Sequence, residues 1–204
     1  MNAVPAVRDR AAGAGTVLVL QPGRVHTHNE LRAMRLDGLV EHVFGPAYVA
    51  AGEPVTAGHR AQAARAALPE QIRGKVVIGR LTAAWVYGCA PPPQKVSVLL
   101  DHRFRTTSQG RCRTAAIHEV SLGPFDTAVV AGVPVTTAQR TALDIALHAP
   151  EEAAVPALLA LSADRDLDCP LRYIRQALLA KSRLPGKRQA LARIERVLGR
   201  LAGR

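Results

Sequence analysis

The chain has 204 residues, 48% of them hydrophobic and only 3% aromatic, with 27 Lys and Arg against 16 Asp and Glu for a net charge of +11. That length suits one domain of ordinary size with a small appendage, and its core must be filled by Ala, Val and Leu, which argues against aromatic base-stacking surfaces of the RNA-recognition kind. The charge, carried mostly by arginine, favours polyanionic partners, although an Ala- and Arg-rich chain also reads as the product of a GC-rich genome.

Residues 1–15 are Ala, Gly and Arg without periodicity and read as a flexible tail. They contain no apolar stretch suited to export, and no later run approaches the roughly 18 apolar residues of a membrane span. Cys89, Cys112 and Cys169 have no C-x-x-C spacing, which excludes a zinc ribbon or thioredoxin-like motif. The odd cysteine count without a signal peptide places the protein in a reducing cytoplasm, with no membrane partner.

Val17–Leu20 predicts a short strand or buried arm, stopped by Pro22 and Gly23. Thr27 and Glu30 form a capping box for a helix that carries Leu31, Met34 and Leu36 and closes at Asp37 and Gly38. Leu39–Val43 and Ala47–Ala50 then read as a hairpin around Phe44, Gly45 and Pro46. A helix running into a two-stranded wing is the second half of a winged helix-turn-helix. Its exposed face would carry His28, Asn29, Arg32 and Arg35, residue types that read adenine and guanine in a major groove. Too little chain precedes it for the two usual supporting helices, so the module is either degenerate or its start codon lies upstream of Met1.

Thr56 to Leu68 predicts a thin amphipathic helix, with Ala57, Ala61, Ala64 and Leu68 opposite His59, Arg60 and Arg65. Strands follow over Lys75–Ile78 and Lys95–Leu100, separated by a helical turn that Thr82 would cap and Gly88 would end. Trp85, the single tryptophan, reads as a core anchor or as a base-stacking platform. Arg103, Arg105, Arg111 and Arg113 make a basic loop ahead of a strand over Thr114–Leu122. A hairpin turns about Gly132, and Thr136 or Thr137 caps a helix over Ala138–His148. Further helices are predicted over Glu151–Ser162, kinked or restarted at Pro156, over Leu171–Ala180 and over Lys187–Leu201. The last is basic and amphipathic, with Arg193 and Arg196 on its polar side, available to a partner or to nucleic acid.

Catalytic constellations are weak. His26 and His28 lack a third ligand, so no metal site is expected. Asp101 and Glu119 could begin a metal-dependent nuclease, but no lysine follows Glu119 to complete it. Phosphate-binding loops and nucleophile elbows are missing from the sequence, and nothing demands a cofactor. Arg140 and Asp144 stand four apart and read as a structural intrahelical pair, worth a few tenths of a kcal/mol if exposed.

Three stretches together resemble one family: the wing Phe44-Gly45-Pro46-Ala47-Tyr48-Val49, the turn Leu81-Thr82-Ala83-Ala84-Trp85-Val86-Tyr87-Gly88, and Gly132-Val133-Pro134-Val135-Thr136-Thr137-Ala138-Gln139-Arg140-Thr141-Ala142-Leu143-Asp144. Over residues 24–148 the chain is similar to the AbiEi-type antitoxins of actinobacterial type IV toxin–antitoxin (abortive infection) systems. The resemblance implies a winged helix that binds its own promoter, and an antitoxin domain that counters a nucleotidyltransferase-like toxin. It puts DNA contact on Thr27, Asn29, Arg32, Arg35 and the wing around Gly45, and it implies no enzyme. Some relatives append an endonuclease domain, expected to be missing from this chain because it stops at Arg204.

The expected architecture is therefore α+β. A truncated winged-helix segment over residues 16–55 precedes an α+β antitoxin-like domain over 56–150, with a small mixed or antiparallel sheet, and a helical region over 151–204. Two rival functions remain, a protein-interaction module without DNA binding and the remnant of a nuclease fusion.

Overall fold

The protein is described from a computed structural model over residues 17–23, 25–104 and 113–203. The expected tail over 1–15, together with Arg105, Arg111 and Cys112, lies outside the described residues. The architecture is α+β, with a helix and hairpin first, a mixed sheet in the middle and helices to the end.

Helix α1, His28–Leu36, starts where the capping box predicts. The Thr27 side chain accepts from Glu30 N–H at 3.2 Å, and the Glu30 carboxylate accepts from Thr27 N–H at 2.6 Å. Hairpin strands β1, Val40–Phe44, and β2, Ala47–Ala50, follow at once and pair antiparallel from Val40 with Ala50 to Phe44 with Ala47. Leu31 is the one fully buried residue of α1, and it packs with Val40 and Tyr48 and beside Leu20 and Met34. Burying one leucine contributes about 1.5–3 kcal/mol, so the helix is held by Leu31 with partly buried Met34 beside it. The stretch before Pro22 is an arm: Leu20 exchanges both backbone hydrogen bonds with Tyr48, at 2.8 and 2.9 Å.

The wing tip is docked against the body. Gly45 has φ +54°, and a Cβ there would sit 3.0 Å from the Ala67 Cβ, so conformation and close approach both demand glycine. Next to it the Phe44 ring lies 5.1 Å from the Trp85 ring, tilted by 52°. Trp85 is 5% exposed and belongs to the main core, which makes it an anchor and leaves no face for stacking bases.

Helix α2, Ala57–Ala66, departs from the expected thin amphipathic connector. Ala57, Ala61, Ala63, Ala64 and Ala66 are all buried, and so is His59, which was expected on the polar side. Small side chains on every face let the wing, the sheet and the helix over Arg80–Val86 approach closely. His59 completes a capping box by accepting from Thr56 N–H through Nδ1 at 3.2 Å. Arg60, also expected outside, donates to Val86 O and Val55 O at 3.0 Å each.

After the short helix α3, Glu70–Arg73, the five-stranded sheet has the order β5-β4-β3-β7-β6. Its strands are β3, Val76–Ile78; β4, Val96–Asp101; β5, Ala115–Val120; β6, Thr127–Val130; and β7, Val133–Thr136. Pairing is antiparallel for β3 with β4 and β6 with β7, and parallel for β4 with β5 and β3 with β7. Val76, Ile78, Val96, Val98, Leu100 and Val135 share the register of one buried face. Helix α4, Arg80–Val86, is capped by Gly79 and not by Thr82. Thr82 is fully buried inside the helix, where its hydroxyl accepts from Ser97 N–H on β4 at 2.8 Å. That backbone donor would otherwise be left unpaired in the core.

The helical layer comprises α5, Ala138–His148; α6, Glu151–Ala163; α7, Leu171–Ala180; and α8, Lys187–Ala202. α6 runs unbroken through Pro156. Pro156 and Glu152 are both exposed, so the carbonyl that loses its bond to the proline can meet water. Ala190, Ile194 and Val197 bury one face of α8 against α5 and α6. Among the described residues no helix is long and apolar enough to cross a membrane.

Candidate nucleic-acid interface

α1 displays its side chains because so little of it is buried. His28, Asn29, Arg32 and Arg35 are all exposed. At about 100° per residue from Leu31, Asn29, Ala33 and Leu36 point away from the hairpin, Arg32 stands beside them, and His28 and Arg35 flank the anchored side. Neither arginine has a hydrogen bond or ion pair among the described residues, so both guanidinium groups are free for phosphate or base edges. Glu30, the acidic neighbour, is occupied: the Thr27 backbone N–H holds its carboxyl below the usual range. Thr27 itself is bound into the cap, and Gly45 stands at the docked tip, so the wing acts as a strut between α1 and the body.

The other arginines singled out by sequence do not gather into one surface. Arg103 grips Asp101 through Nε at 3.0 Å and a terminal nitrogen at 2.8 Å, and holds that carboxyl far below the usual range. Arg113 is exposed, while Arg105 and Arg111 fall outside the described residues. Arg193 is not on a solvated face: it is 3% exposed and donates to Glu151 Oε2 and Ala146 O, both at 2.8 Å. It therefore fastens α8 to α5 and α6 and is not available to a partner. Arg196 is half-exposed and reaches the other Glu151 oxygen at 2.5 Å.

Asp101 and Glu119 do not converge. Asp101 pairs in register with Val120, and Glu119 with Leu100, so the alternation of the pleat sends the two carboxylates to opposite faces. Among the described residues there is no group of His, Cys, Asp and Glu that could hold a metal ion.

The spacing of Arg140 and Asp144 predicts a weak exposed pair, and the structure buries it. Arg140 Nε lies 3.0 and 3.1 Å from the two Asp144 oxygens, and a terminal nitrogen lies 2.6 Å from Asp126 Oδ2. The same terminal nitrogen reaches Ser121 O at 3.3 Å, so Arg140 ties α5 to the β5–β6 connection. The charges of Arg80 and His148 act on this pair and His118 neighbours those two, three groups that the sequence does not single out. Arg80 opens α4, His118 lies on β5 and His148 closes α5. A signal was present, since Arg140, Asp144 and His148 recur at i, i+4 and i+8 on one helical stripe.

The fold that carries these groups matches a known domain: residues 77–201, more than half of the chain, match the AbiEi antitoxin C-terminal domain. The chain belongs to the AbiEi antitoxin family. Its AbiEi domain begins in β3 and ends in α8, and so contains the sheet, the buried Arg140 network and the helical layer. The helix, the wing and α2 lie ahead of it. No curated protein matches the chain. Among solved structures, the crystal structure of the RV2827C protein from Mycobacterium tuberculosis is 17% identical, with a TM-score of 0.45. The match covers 84% of this chain and spans 64% of that one.

Proposed function

We propose that this AbiEi family member is the antitoxin of a two-gene toxin–antitoxin system, a cytoplasmic, non-enzymatic regulator that binds its own promoter. The observation that carries the DNA half is α1: a doubly capped helix anchored by Leu31, with Asn29, Arg32 and Arg35 in solvent. In this reading α1 enters a major groove, where Asn pairs bidentately with adenine and Arg with guanine. Each guanidinium also releases counterions from phosphate, so affinity falls steeply with salt. The toxin countered is nucleotidyltransferase-like, and the exposed arginines Arg103, Arg113 and Arg196 are the contacts proposed for it or for its nucleic acid.

A second reading, a protein-interaction module that never touches DNA, is favoured by two observations. The wing tip is packed on α2, and Leu36 stands 88% exposed on the outward face of α1. Co-expression with the neighbouring gene product and a band-shift titration against upstream DNA separate the two. Rescue of growth with salt-dependent retardation supports antitoxin and repressor together. Rescue without retardation leaves the interaction module, and no rescue removes the antitoxin assignment.

A further inference from the structure

The Arg80 backbone is left-handed, with φ +55°. Two other non-glycine residues among those described share that region, Ala131 in the β6–β7 turn and Asp168 after a short 3-10 turn. Arg80 alone begins a helix this way, in a conformation that an unbranched L side chain seldom adopts unless its surroundings impose it. A second peculiarity lies in the same side chain. Arg60, Arg73, Arg140 and Arg193 are part-buried or buried, and each donates its Nε–H within the fold, to Val86 O, Leu68 O, Asp144 and Glu151 respectively. The Arg80 Nε is buried and has no hydrogen-bond partner among the described residues. A buried guanidinium N–H without an acceptor is costlier than an orphaned neutral donor, and such orphans mark a missing ligand or a functional constraint.

The charges around Arg80 explain what kind of ligand is lacking. Asp144 attracts it and Arg140 repels it. Both Asp144 oxygens already accept from Arg140, so that carboxylate is committed to another arginine. Two imidazoles complete the surroundings. Burial, then Arg80, then His148 hold His118 down at about 4, and burial and Arg80 likewise depress His148, with Asp144 opposing and Arg140 adding to the shift. His148 is exposed, so the cluster opens to solvent on that side.

We propose that Arg80, beside the Arg140–Asp144 pair, forms with His118 and His148 a receptor for the oxyanion of a phosphate group. Arg80 supplies the fork whose Nε is free, the arrangement that suits a tetrahedral oxyanion bidentately. The two imidazoles donate to the remaining oxygens. An incoming dianion offsets the Arg80 repulsion that adds to burial in disfavouring protonated rings, so binding draws protons onto the histidines. Arg80, His118 and His148 all lie within the AbiEi domain and none is on α1, so the proposal does not depend on the promoter reading proposed above.

The test uses the full chain and inorganic phosphate as the probe, followed by calorimetry and by the histidine ring signals at pH 6 and pH 8. Phosphate should shift the His118 and His148 signals, with proton uptake by the two rings. Arg80→Asn, which tolerates the left-handed backbone, should weaken binding about tenfold, as expected for loss of one charge-assisted fork. The double variant His118→Gln/His148→Gln should weaken binding and remove the share of proton uptake that the two rings supply, and it serves alone if the Arg80 variant does not fold. Arg32→Ala, on α1, should bind phosphate like the parent. A 5′-phosphorylated dinucleotide and its 5′-hydroxyl counterpart distinguish the sources: preference for the former assigns a terminal phosphate, and equal, Arg80-dependent binding of both assigns a phosphodiester. Unchanged ring signals with every probe, or phosphate binding by Arg80→Asn equal to the parent, would overturn the proposal.

Discussion

α1 and α5 are both capped by threonine and both carry arginines, yet they occupy opposite conditions. α1 packs on the rest of the protein through Leu31 and Met34 and leaves Arg32 and Arg35 in water. α5 buries Ala138, Thr141, Ala142, Asp144, Ile145 and Ala146, and its arginine is locked between two carboxylates. The same residue type is thus a free charge in one helix and a structural bolt in the other. What separates them is what stands opposite: solvent at α1, and at α5 the β5–β6 connection with Asp126 and Ser121 O.

That contrast predicts where substitutions are felt. The largest effect is expected at the body: Trp85→Ala removes a buried ring and its packing on Phe44, and should cost about 3–5 kcal/mol in chemical denaturation. Next comes Arg140→Ala, which strands Asp144 in the interior and should cost about 3 kcal/mol. Arg140→Met with Asp144→Leu should recover much of that loss, because no unpaired charge then stays buried. If the double variant were as unstable as the single one, the pair would be holding more than itself.

A smaller effect concerns pH. His118 is depressed in the folded protein to about 4 from an unfolded value of 6.5, so the unfolded chain binds the extra proton first as pH falls. Stability should therefore be full above pH 6.5, decline between about 6.5 and 4, and level off in this respect below that. Melting curves across that window should show the decline for the parent and a shallower one for His118→Gln.

Local signals made much of this fold legible. Capping boxes, the hairpin around Gly45 and the β-branched runs at Val76–Ile78 and Val96–Leu100 depend on neighbours in sequence, and those elements stand where the sequence predicts them. The misreadings share a cause. His59 and Arg193 sit at polar positions of an amphipathic pattern but are buried, because the one accepts from Thr56 N–H as part of a cap and the other pairs with Glu151, distant in sequence. Thr82 obeys the rules for a cap until the Ser97 N–H of another strand claims its hydroxyl. Arg80 was unreadable for the same reason, since its neighbours come from β5 and from along α5. The surface of α1 was the easier part, because an exposed helix needs no partner to set its side chains.

At the small end of the scale lie Arg32→Ala and Arg35→Ala, which should leave the melting transition within about 0.5 kcal/mol of the parent. Their binding to upstream DNA is the most direct measurement of the central claim, that the free arginines of α1 are there to meet nucleic acid. Titrations over a series of salt concentrations should show weaker affinity for each variant and a salt slope smaller by about one for each phosphate that is no longer neutralised. Variants that fold normally and bind upstream DNA with the parent's affinity and salt slope would contradict it.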